Sequence, residues 1–75
     1  MTVFTELGPK PVYALVLYGQ TERVVRVHNQ GPKRVIISLS TTLWGRLMTT
    51  RRVEHTNVNR IIRFLTYEEA YELGK

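Results

Sequence analysis

Ser40-Thr41-Thr42-Leu43-Trp44-Gly45-Arg46-Leu47-Met48 is the stretch on which the fold reading of this chain hangs. Upstream of it, apolar residues recur at every second position. Within it, Leu43, Trp44, Leu47 and Met48 fall at i, i+1, i+4 and i+5, the spacing of one helix face. Ser40, Thr41 or Thr42 can supply an N-cap oxygen. Gly45 weakens the segment, so the spacing predicts a helix of two or three turns. On that face Trp44 is expected in the core; exposed, it would instead be an anchor for a partner.

Upstream, Val12-Tyr13-Ala14-Leu15-Val16-Leu17-Tyr18 is apolar on both faces and reads as a central strand. Tyr13 and Tyr18 fall on opposite faces of it, one for the core and one open to stacking. Gly19-Gln20-Thr21-Glu22 is a turn-like link to a second strand over 23–28, with Val25 and Val27 on one face. Gly31-Pro32 breaks the chain, and 34–39 reads as a third strand. Residues 1–10, with Gly8-Pro9, read as a lead-in arm with room to flex.

Downstream, 49–59 is polar and reads as a loop. Residues 60–65 alternate as a fourth strand. Thr66 with Glu69 three positions on is a capping box, and Gly74 is a C-terminal stop, so a short second helix is expected between them. Tyr67, Ala70, Tyr71 and Leu73 can pack on the sheet. The expectation is a single α+β domain over 1–75. It has a small antiparallel sheet of three to four strands and two short helices, in the order β-β-β-α-β-α.

With 75 residues and no Cys, the chain offers no disulfide, thiolate metal site or Cys nucleophile, which points to the reducing cytoplasm. If the chain is phage-encoded, that is the host's cytoplasm. No apolar run reaches the roughly 20 residues a bilayer crossing needs. There is no Asp, and no phosphate-cradling glycine motif. His28 and His55 lie far apart in sequence and read as solvated. Only Glu54 adjoins one of them, too thin a set for a metal site. No enzyme activity, cofactor, metal or small-molecule substrate is expected.

The charge carries the signal. The net charge is +5, and Arg23, Arg26, Lys33, Arg34, Arg46, Arg51, Arg52, Arg60 and Arg63 share their span with a single acid, Glu54. Arginine suits carboxylate and phosphate recognition. Arg26, Arg34 and Arg63 form a stripe if they share one sheet face. Arg46, Arg51, Arg52, Arg60, His55 and Trp44 would extend the partner-binding set. The bland alternative for any one arginine is a solvated sheet face. An acidic protein surface is the expected partner. Largely nonspecific DNA or RNA binding through the same arginines is the alternative. The aromatics do not form the strand pattern of a single-strand RNA platform, and the two expected helices lie too far apart for a helix-turn-helix unless 40–57 holds a second short helix.

Three stretches add a resemblance: Pro11-Val12-Tyr13-Ala14, His28-Asn29-Gln30-Gly31-Pro32-Lys33, and Glu54-His55-Thr56-Asn57 leading into Arg60-Ile61-Ile62-Arg63-Phe64. In these, and in size and charge, the chain resembles small bacteriophage regulators that bind host machinery, among them inhibitors of bacterial RNA polymerase. The resemblance implies a non-enzymatic protein that docks on polymerase or an associated factor and modulates transcription.

Overall fold

A computed structural model describes residues 11–75 and the backbone of Thr5–Glu6. Seven strands form one antiparallel sheet: β1 (Thr5–Glu6), β2 (Val12–Tyr18), β3 (Thr21–Gln30), β4 (Arg34–Leu43), β5 (Arg46–Thr49), β6 (Glu54–Asn57) and β7 (Ile61–Leu65). A 3-10 turn over Val58–Arg60 precedes β7, and one helix, α1 (Tyr67–Leu73), follows it. The strand order is β5-β4-β3-β2-β7; β1 pairs with β3, and β6 continues the β5 edge along β4. Most of the expected lead-in arm lies outside the described residues. Its Thr5–Glu6 segment pairs with Asn29 and Gln30.

The expected first helix is absent. β-branched Thr41 and Thr42 keep β4 extended to Leu43, Trp44-Gly45 turns the chain, and β5 returns with Thr42 opposite Leu47 and Leu43 opposite Arg46. Leu43, Trp44, Leu47 and Met48 mimic a helix face only because a two-residue turn inserts between two strands. The expected loop over 49–59 likewise contains β6 and the 3-10 turn. Among the described residues the element order is therefore strands, interrupted by the one 3-10 turn, with a single α-helix at the end.

The sheet cannot be flat. β6 and β7 lie at opposite ends of the order β6-β4-β3-β2-β7, four spacings or ~19 Å apart in a flat sheet. The three residues joining them rise only ~6 Å as a 3-10 turn. The sheet must curl. The Tyr18 hydroxyl of β2 donates to Glu54 Oε1 of β6 at 2.8 Å, across the gap that curling narrows.

Curling explains why β2 is apolar on both faces. Ala14 and Val16 join Val25, Val27, Val35 and Ile37 in a concave core, with Val58 and Ile61 packed against it. On the outer face Tyr13, Val24 and Leu65 pack with Ala70 of α1, flanked by Leu15 and Leu47. The capping box forms: Thr66 accepts from the Glu69 N–H, and the Glu69 carboxylate accepts from the Thr66 N–H. Of the helix residues expected to pack, only Ala70 is buried; Tyr67 and Leu73 are half exposed. The far end of α1 is tied to β4. Thr42 donates its N–H to Gly74 O and its hydroxyl to Tyr71 O.

Candidate functional site

Leu43-Trp44-Gly45-Arg46 closes the β4–β5 hairpin with both central residues at positive φ, 52° for Trp44 and 71° for Gly45. That is the signature of a type I′ turn, whose twist matches the flanking strands. Asn-Gly is the sequence such a turn favours. A tryptophan in the left-handed region costs about 1–2 kcal/mol, because its Cβ crowds the following carbonyl. Trp44 is also 87% exposed. The largest apolar side chain in the chain is thus unburied and set where the backbone resists it, which corrects its expected place in the core.

The register decides what surrounds it. Thr42 and Leu47 share the outer face, where Leu47 packs with the α1 cluster. Leu43, Arg46 and Met48 therefore lie on the other, concave side, all three exposed. Trp44, Leu43, Met48 and Arg46 form a contiguous tip of aromatic, methionine and arginine character, the composition enriched at the centres of protein interfaces.

The arginines are more dispersed than a single site requires. Alternation puts Arg26, Arg34 and Arg63 on one face of the sheet, the condition set above for a stripe. That is the face α1 covers. Arg63 pairs with Leu15 and Arg26 with Tyr13, two strands and two residues apart, or ~12 Å between backbones. Arg63 donates to Glu69 at 2.7 Å, and this contact, with the Thr66 N–H, holds the Glu69 carboxyl below its usual range. Arg26 is half buried beside Tyr13, whose hydroxyl is pushed up by burial against the opposing charge of Arg26. Arg34, Arg51, Arg52 and Arg60 are exposed, on a strand end, in the β5–β6 loop and on the 3-10 turn. His55 is exposed on β6, opposite Ile36. The nine expected positions therefore divide between the two faces, the β4–β5 turn, the β5–β6 loop and the 3-10 turn, with Trp44 near Arg46, Arg51 beside Arg52, and Arg34 diagonal to His55 as separate pairs.

His28 is not solvated. The register shifts between Val27 and Asn29, leaving His28 as the extra residue of a bulge. Its Nε2 lies 2.7 Å from Ser38 Oγ, and Ser38 donates to the Arg52 carbonyl at 2.8 Å. Ser38 has one proton and spends it on Arg52, so Nε2–H donates to Ser38. Burial, aided by Arg26, lowers the pKa of His28 below its ordinary 6.5. This chain pins the β5–β6 loop to the sheet. Among the described residues no three metal-ligating side chains cluster.

Sequence reasoning missed Tyr67 and Tyr71 as surface groups. Their rings stack at 6.5 Å beside the tip, and Tyr67 also meets Tyr13 edge-on at 6.1 Å. The signal was present in their i, i+4 spacing on α1. The chain matches no known family model, and no curated protein or solved structure is significantly similar to it.

Proposed function

We propose that this protein is a non-enzymatic binding module that docks on a protein partner through the β4–β5 hairpin tip, with Trp44 as the anchor. The observation that carries the reading is Trp44 itself, 87% exposed at a φ of 52°. Neither feature helps the fold. Both are explained by a partner pocket that buries the indole. Arg46, Leu43 and Met48 surround the anchor, and the dispersed arginines speed encounter with an acidic protein surface. The resemblance to phage regulators makes RNA polymerase or an associated factor the first partner to test, with transcription modulated sterically or allosterically and without turnover.

Nucleic-acid binding is the competing reading. It calls for a basic track, and the arginines are spread over two faces and two connections instead. The test compares wild type with Trp44→Asn, which keeps the type I′ turn. Purified bacterial RNA polymerase is immobilised, and labelled duplex DNA, single-stranded DNA and RNA are titrated across a salt series. Retention on polymerase by wild type, lost in Trp44→Asn, is expected. Equal retention by both proteins, or tight nucleic-acid binding that falls steeply with salt, would overturn the proposal.

A further inference from the structure

We infer that the recess between Gly45 and α1 is a binding site for a cationic side chain, an arginine or lysine presented by a partner protein. The recess has a volume of about 340 Å³ and is lined by Gly45, Tyr67, Glu68, Tyr71 and Glu72. Tyr67 and Tyr71 present two rings inclined at only 28°. Glu68 and Glu72, four residues apart, share one side of the helix. Aromatic faces beside carboxylates select positive charge: the ring quadrupole attracts a cation, and the carboxylates accept its N–H groups.

Three observations point to a ligand rather than to a solvated helix. First, the site is negative on a protein whose net charge is +5, so its charge runs against the molecule around it. Second, its components already hold an ammonium. Lys75 Nζ sits 5.1 Å from the Tyr71 ring centroid and 3.3 Å from a Glu72 carboxylate oxygen. Lys75 directly follows Gly74, the helix stop, and acts as a resident competitor that an incoming cation displaces. Third, the hairpin turn forms a wall of the recess: a Cβ built at Gly45 would stand in ordinary contact, 3.9 Å, with the Tyr71 hydroxyl. The same glycine belongs to the turn that carries Trp44, so a partner segment seated on the tip passes the recess.

The site is tested without the partner, so its failure and that of the Trp44 reading are distinguishable. Ring resonances of Tyr67 and Tyr71 are followed by NMR as N-acetyl-arginine amide is added, with the neutral isostere N-acetyl-citrulline amide as control. Saturable shifts with the arginine probe alone are expected. Glu72→Gln combined with Glu68→Gln should weaken binding, whereas Lys75→Ala should tighten it, roughly two- to fivefold in each case. Trp44→Asn should leave the titration unchanged. Absent shifts, equal shifts with both probes, or binding indifferent to the glutamates and to Lys75 would overturn the inference.

Discussion

Trp44 and Gly74 are the residues at which local geometry and side chain are most sharply matched or mismatched. Trp44 stands in the left-handed region on the exposed tip. Trp44→Asn should raise stability by about 1 kcal/mol, a Tm increase of roughly 4–8 °C for a domain this size; an unchanged or lower melting temperature would show that the indole supports the fold. Gly74 is the opposite case. Its φ is −84°, so it is not there for conformational freedom. A Cβ at that position would lie 2.9 Å from the Ala70 carbonyl and 3.0 Å from Thr42 Oγ1. Gly74→Ala should therefore push α1 away from β4 and destabilise by about 1–3 kcal/mol, measured by urea denaturation. His28 adds a pH dependence. Its folded pKa lies below the unfolded value near 6.5, so the unfolded chain binds the proton first. Stability is complete above that pH and falls as pH drops below it. His28→Gln should flatten that slope below about pH 6.5; a slope that persists would assign it to another group.

At the scale of elements, the β4–β5 hairpin and α1 show how differently two local signals behave. The α1 signal is self-contained. Thr66 and Glu69 cap one another across three residues, and neither needs the rest of the fold to recognise the other. Thr66→Ala should cost about 1 kcal/mol, and because the capping carboxylate also receives Arg63, Glu69→Gln should loosen β7 from α1 as well. Exchange of the helix amides, fastest in the first turn, would report it. The hairpin signal is ambiguous alone. The Leu43, Trp44, Leu47 and Met48 spacing satisfies a helix, and the strand reading wins only because Ser40, Thr41 and Thr42 continue a β4 already paired along β3. Thr42 then serves both structures, pairing with Leu47 and bonding the end of α1.

At the scale of the whole molecule, two apolar layers share one curled sheet. Ile37 is the largest fully buried side chain of the concave layer and packs across β2, β3 and β4. A domain of this length is worth roughly 4–11 kcal/mol in all. Ile37→Ala, at about 2–5 kcal/mol, should remove a large share of that and unfold the chain at much lower denaturant. Tyr18→Phe breaks only the exposed hydroxyl contact to Glu54 across the curl, and its effect on the midpoint should be far smaller.

Apolar periodicity identified β2 to its exact bounds and the apolar faces of β3 and β4, while turn and capping residues identified the Gly31-Pro32 break and the C-terminal helix. Each of these rests on contacts between near neighbours in the chain, or on a strict alternation that any buried sheet imposes. The charge pattern likewise located the arginines along the sequence. Where they stand relative to one another depended on register, on the bulges at His28 and Ile62, and on the curl that joins β6 to β7. The exposure of Trp44 and the recess under Gly45 are of the same kind. They exist because a strand pair turns at those two residues and a helix from the far end of the chain docks beside the turn, and no local pattern encodes the meeting of segments thirty residues apart.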